Sequence, residues 1–177
     1  GKPIELQALW HHGLLAVAML IEAWDATAAD GLRSRASDCR ASVNGLMWSE
    51  ANGCLADCLR RTSRGWIQVD EVRPNQLFAC SLEHGMLDDV RRMSVTRVCL
   101  DTLWTPHGVR TLAPGDPGYH GRYAGPMMQR DAAYHTGTAW PWLLGPRGPF
   151  AVAPLTLGAL VGLVWVENTL GAAGGRV

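Results

Sequence analysis

Between Ile4 and Trp24 the apolar side chains Ile4, Leu6, Leu9, Trp10, Leu14, Val17, Ala18 and Ile21 recur at the three-and-four spacing of one helix face. A pattern this long commits the start of the chain to a helix, and a helix with one apolar stripe must bury it against a neighbour. The next segment supplies that neighbour. Asp30 is expected to cap a second helix running to about Trp48, with Leu32, Ala36, Cys39, Val43, Leu46 and Met47 on its buried side. No alternation of strands and helices, heptad array or fixed-period repeat competes with this pattern, so the expected fold class is all-α.

Further along, Asn52-Gly53 reads as a turn, Cys54 to Leu59 as a short connecting stretch, and Arg60-Arg61-Thr62-Ser63-Arg64-Gly65 as an exposed loop. Pro74 fits the first turn of a third helix carrying Leu77, Phe78, Cys80 and Leu82. A fourth fits Leu87 to Leu103, with Leu87, Val90, Val98 and Leu103 among its apolar residues. The segment from Thr105 to Tyr134 holds four of the chain's 10 prolines. Loops of that length are usually functional. Helix is expected to resume near Trp140 to Leu144. Paired helices with loops that lengthen on one side suggest an all-α barrel or toroid whose open end gathers the loops. Phe150 to Val166 is almost uniformly apolar but is interrupted by Pro154, Gly158 and Gly162. Buried helix, displaced terminal segment and membrane span are its readings, with the span disfavoured.

Charge narrows the function. Sixteen basic side chains balance 16 acidic ones, which leaves no cationic surplus to displace counterions from nucleic acid or to hold an anionic membrane surface. The five cysteines, Cys39, Cys54, Cys58, Cys80 and Cys99, are odd in number and contain no Cys-x-x-Cys pair. They fit free thiols in a reducing cytoplasm, and a cytoplasmic location is expected. Gly1-Lys2-Pro3 does not open a secretory signal. Cys54 and Cys58 are spaced to share a helix face, but no further ligand lies near them, so no metal is expected. No glycine-rich phosphate loop and no Gly-x-Ser-x-Gly elbow is present, which disfavours nucleotide chemistry and a serine hydrolase and leaves no cofactor to expect.

The densest chemistry lies between Arg130 and Pro146, where Arg130, Asp131, Tyr134, His135, Trp140 and Trp142 bring together donors, an acceptor and indole faces. A pocket for a neutral polyhydroxylated ligand wants this combination, because hydrogen bonds fix the hydroxyls while an aromatic face covers the apolar side of the ring. A helix N-terminus with an Arg–Asp pair and core tryptophans explains the same residues, and both readings stand. Asp131 and His135 are spaced to face one another on a helix, as a hydrogen-bonded imidazole rather than a metal pair. Arg73-Pro74-Asn75-Gln76 forms a second polar knot, with Arg73 and Asn75 ahead of an apolar helix and able to point into a cavity. Asp70 and Glu71, just upstream, read as solvated loop charges. Arg110 is a third candidate, although a lone Arg in a loop is usually a staple.

In this order the blocks resemble the glucosidase domain of prokaryotic glycogen debranching enzymes, the amylo-alpha-1,6-glucosidase family. The resemblance is carried by Gly1-Lys2-Pro3-Ile4-Glu5-Leu6-Gln7-Ala8-Leu9-Trp10, by Arg73-Pro74-Asn75-Gln76-Leu77-Phe78-Ala79 and by Leu103 with Thr105-Pro106-His107-Gly108-Val109-Arg110-Thr111-Leu112-Ala113-Pro114. Tyr119-His120-Gly121-Arg122-Tyr123 and the cluster at 130–146 complete it. It implies part of an (α/α)6 toroid, a six-hairpin glycosidase-like fold incomplete at both ends, with residues 1–146 as its central part. Residues 147–177 are expected to be a divergent apolar tail, a non-native or truncated domain end.

The implied reaction is inverting hydrolysis of the α-1,6-linked glucose at a glycogen branch point, with glycogen or an α-glucan limit dextrin as ligand and no cofactor. The family's acid lies in a Thr-Trp-Met-Asp motif before the segment that matches residue 1, and its base in a Ser-Glu-Ile-like segment after the part that matches residue 146. Neither motif occurs here. The resemblance therefore implies a sugar-binding wall without catalytic residues of its own, inactive alone. Glu5, Trp10, Arg73, Asn75, Arg110, Tyr134, His135, Trp140 and Trp142 would line the glucose site, and Arg130 and Asp131 would orient it. A trehalase-like or glucoamylase-like hydrolase, or a non-catalytic carbohydrate-binding module, is the alternative. Trp24, Trp48, Trp66, Trp104 and Trp165 are left to packing or loops.

Overall fold

The computed structural model describes residues 1–141. Trp142, the apolar stretch from Phe150 to Val166 and the whole 147–177 tail lie outside the described residues. Pro3, in extended conformation, leads from strand β1 (Lys2–Pro3) into helix α1 (Ile4–Ile21). The chain then folds back into α2 (Ala26–Leu46). The cap of α2 is Asp25, whose carboxylate accepts from the Ala28 N–H at 2.9 Å. Asp30, the cap expected from sequence, sits inside the helix and pairs with Arg33 at 3.0 Å.

The two helices meet along a narrow seam. Ile4, Ala8, His11, Leu14 and Ala18 are buried on α1, and Ala29, Ala36 and Val43 on α2. Alanines at the seam allow close approach, so the buried stripe is thinner than the apolar count implied. Leu46 is left exposed, as are Leu6, Trp10, Met19 and Leu20 on α1. By length and composition α1 is apolar enough to cross a membrane, yet its seam residues are packed inside the protein.

The all-α expectation needs correction. The described residues are mainly helical but include eight short strands. β2 (Trp48–Ser49) pairs with β3 (Cys54–Leu55) across the Asn52-Gly53 turn, where Gly53 takes φ +61. β4 (Cys58–Thr62) and β5 (Gly65–Val69) form a hairpin with Thr62 opposite Gly65, and β1 joins its other edge with Lys2 opposite Leu59.

The arginine run expected as a loop is thus mostly a strand. Its polar side chains hide the alternation, while Thr62 Oγ1 closes the turn by donating to Gly65 O at 2.9 Å. Across the hairpin, Lys2 Nζ and Arg61 stack over the Trp66 ring at 4.7 and 5.4 Å. Cys54 and Cys58 lie on successive strands rather than on one helix face, and all five cysteines are free thiols.

Pro74 opens a 3-10 turn (Pro74–Gln76) that runs into α3 (Leu77–Ser81). Helix α4 (Asp89–Leu103) is capped by Asp88, which accepts from the Arg91 N–H at 2.8 Å. Leu87 therefore falls before the helix, and Val90 points to solvent. The expected long loop is partly structured. It holds β7 (Gly108–Arg110), paired on one side with β6 (Trp104–Thr105) and on the other with β8 (Ala139–Trp140), together with α5 (Met127–Tyr134). Trp140 belongs to a strand, where a helix was expected. The core is built where α1 packs on α2 and α3, and α3 on α4, with the small sheets beside them, around Ile4, Met47, Leu55, Leu77, Val95 and Leu103.

Candidate functional site

A residue ahead of proline is held in extended backbone, and Arg73 takes φ −126, ψ 158. That conformation sends its guanidinium across to three other segments. Nε pairs with Glu71 Oε2 at 2.6 Å and lies 3.9 Å from Asp57 Oδ2. Nη1 donates to the carbonyls of Thr111, at 3.0 Å, and of His135. Glu71, read from sequence as a solvated charge, is therefore part of this node. The planar fork of arginine suits such a junction because its N–H groups leave in fixed, divergent directions.

The neighbouring turn supplies the rest. Asn75 Nδ2 donates to Asp57 Oδ1 at 3.0 Å. Gln76, fully buried, accepts from the Leu55 N–H at 3.1 Å and donates to the Arg73 carbonyl at 3.1 Å, which locks β3 to the turn. Burial pushes the Asp57 carboxyl above its ordinary range, and the charges of Glu5 and Glu71 push the same way. The Asn75 hydrogen bond and the Arg73 charge oppose them without cancelling the rise. Glu5, in the first turn of α1, has its Oε2 buried with no hydrogen-bond partner.

Beyond Arg73 lies an aromatic group at the end of α5. Tyr134 meets His135 edge-on at 4.6 Å between ring centroids and Trp140 at 4.8 Å, with Tyr123 at 6.0 Å. The group is held against β7 by the Thr111 N–H to Thr138 O bond at 3.1 Å and by the Gly137 N–H to Thr111 Oγ1 bond at 2.9 Å.

Arg73, Asn75, Tyr134, His135 and Trp140 are thus linked by hydrogen bonds and ring contacts, while Glu5 acts on Asp57 only through its charge. Arg110 staples its own hairpin by donating to the Trp104 carbonyl at 3.2 Å, opposite Ala139 in register. Trp10 is 57% exposed on α1, and Arg130 and Asp131 are exposed on α5. Among the described residues no hydrogen bond or ion pair joins Asp131 to His135, and no cluster of three or more His, Cys, Asp or Glu side chains is arranged to hold a metal. Asp57 escaped sequence reasoning. Its one signal is a lone acid between Ala56 and Cys58 in an otherwise apolar stretch.

The model of the amylo-alpha-1,6-glucosidase family matches residues 1–155. The chain belongs to that family. No curated protein matches it significantly. As an amylo-alpha-1,6-glucosidase family member it carries a glycoside hydrolase domain of the glycogen-debranching type, whose substrate class is the α-glucans. The matched span contains every element of the network described above, so the family's sequence blocks and the Arg73 node coincide.

Proposed function

We propose that residues 1–146 form the sugar-binding wall of a cytoplasmic debranching glucosidase that hydrolyses α-1,6-linked glucose at glycogen branch points. The observation that carries this reading is the hydrogen bond from Arg73 to the His135 carbonyl. It joins the turn at 73–76, with Glu5 and Asp57 beside it, to the rings of Tyr134, His135 and Trp140. Glu5 and Asn75 offer hydroxyl contacts and the rings offer a stacking face. Trp10, Arg110, Arg130 and Asp131 complete the proposed lining.

The inverting mechanism needs a carboxylic acid to protonate the leaving oxygen and a carboxylate to activate water on the opposite face of the sugar. We assign both to segments outside residues 1–146, on an (α/α)6 toroid in which α1 and α2 make one hairpin. By this reading the 177-residue chain binds a limit-dextrin branch but releases no glucose.

Isothermal titration with panose, and with cellobiose as the wrong linkage, tests the assignment. Panose should bind and cellobiose should not, with no glucose released. An absence of binding to any α-glucan, or undiminished binding by a folded Arg73→Ala variant, would sink it.

A further inference from the structure

We propose that the outward face of α1 is the contact surface of a reversible homodimer, in which two copies pair antiparallel and the Trp24 indole of each lies over Gly13 of the other. The buried seam of α1 runs through Ile4, Ala8, His11, Leu14 and Ala18. On the side turned away from it, Gly13, Val17, Leu20 and Trp24 follow at intervals of four, three and four, which keeps them in line along one edge of a helix. The Asp25 N–H reaches the Ile21 carbonyl at 2.9 Å and so carries the helical spacing to Trp24. Val17, Leu20 and Trp24 are 46, 68 and 81% exposed. A helix that is apolar on two sides needs two neighbours, and the described residues supply one.

Symmetry selects a second copy as the other neighbour. The spacing reads the same in both directions, so a two-fold axis between Val17 and Leu20 sets Gly13 against Trp24 and Val17 against Leu20 in both halves of the contact. Gly13 supplies the fit. A Cβ at that position would meet nothing within 4 Å, and a glycine inside a helix weakens it relative to alanine. No contact among the described residues calls for it, whereas a notch there admits an indole.

Charge does not oppose the pairing. From Leu6 to Ile21 the helix carries no Asp, Glu, Lys or Arg, and Glu22 is held by Arg33 at 2.8 Å. Two copies therefore meet without burying or opposing ionised groups. The face covers on the order of 1,000 Å2 in both copies together, the lower limit for a specific interface, so the dimer is a weak and reversible one. In this register Trp10 lies beyond Trp24 of the second copy and is not used by the pair, which leaves the proposed sugar wall open.

Sedimentation equilibrium of the 177-residue chain from about 1 to 300 µM tests this, and should fit a monomer–dimer equilibrium with a Kd of about 10–100 µM. Trp24→Ser should raise that Kd at least about tenfold, and Gly13→Leu should do the same because its side chain fills the notch. Met19→Ser, at a residue 62% exposed but off the stripe, should leave it unchanged. A chain that stays monomeric, an association that continues past the dimer, or a dimer undiminished by Trp24→Ser overturns the proposal. So does a dimer that Gly13→Leu leaves intact or tightens, since unspecific apolar contact gains from an added leucine. Should those variants fail to fold, Val17→Cys and Leu20→Cys chains, altered at exposed positions, are mixed and oxidised. Peptide mass spectrometry should then find a 17–20 link between chains, and its absence overturns the register.

Discussion

Arg73 donates a hydrogen bond to the backbone carbonyl of His135, 62 positions further along the chain. The same guanidinium holds Glu71, faces Asp57 and caps the Thr111 carbonyl, so one side chain joins the polar turn, the β7 strand and the aromatic group. Removing it leaves the part-buried Thr111 carbonyl, the exposed His135 carbonyl and the Glu71 carboxylate without their partner.

Arg73→Ala should therefore destabilise the chain by about 2–4 kcal/mol in urea unfolding. Arg73→Lys should recover less than half of that, because an ammonium group cannot reproduce the divergent fork. Equal stability of the lysine variant and the wild type would show that charge alone matters.

Gly108 has φ +147, and a Cβ there would stand 2.6 Å from the Trp140 carbonyl carbon. Gly108→Ala should cost at least about 2 kcal/mol and push β8 off β7. The fall in thermal midpoint should come with a changed Trp140 environment, read as a difference in near-ultraviolet circular dichroism.

His11 is buried in the helix seam, and neither ring nitrogen has a hydrogen-bond partner. Burial holds its pKa below the ordinary imidazole value of 6.5, and the nearby Arg40, His84 and His12 push in the same direction. Above that value the ring is neutral in both folded and unfolded chains and its titration does not affect stability. Below it the unfolded chain takes up a proton that the folded chain resists, so stability falls as pH drops through 6.5 toward the lowered folded value. Urea midpoints at pH 7.5 and 5.5 should show the drop, and His11→Leu should flatten it. A slope unchanged in the variant would assign it to other groups.

The cysteines should react in order of burial. Burial raises every one of these thiols above its ordinary range, Cys80 to about 12 and the fully enclosed Cys99 well above normal. A disulfide reagent at pH 8 should label Cys58 and Cys39 first, and Cys54, Cys80 and Cys99 only on unfolding. Early labelling of Cys99, followed by mass spectrometry of peptides, would contradict the packing.

The helix pair at the start of the chain was legible because its cause is local. The spacing from Ile4 to Ile21 and an Asp ahead of α2 are written in consecutive residues, although the cap proved to be Asp25 and not Asp30. The turn at Asn52-Gly53 and the proline that opens the 73–76 turn were legible for the same reason. The strands were not. Each is short, and β7 becomes a strand only because Trp104 and Ala139 come to lie on either side of it. The arginine-rich strand β4 shows no alternation that a sequence pattern could register.

The sequence by itself determined the helical start of the domain and, through blocks spread from Gly1 to Pro146, its family. Those signals survive in the linear order because a helix repeats every few residues and a family motif is contiguous. The tertiary structure alone decided what Asp57 is. Flanked by Ala56 and Cys58 it stands out only as a lone acid in an apolar stretch, and its environment is assembled by Glu5, Glu71, Arg73 and Asn75 from other segments. A carboxyl group takes its chemistry from the charges and donors around it, and only folding brings those neighbours together.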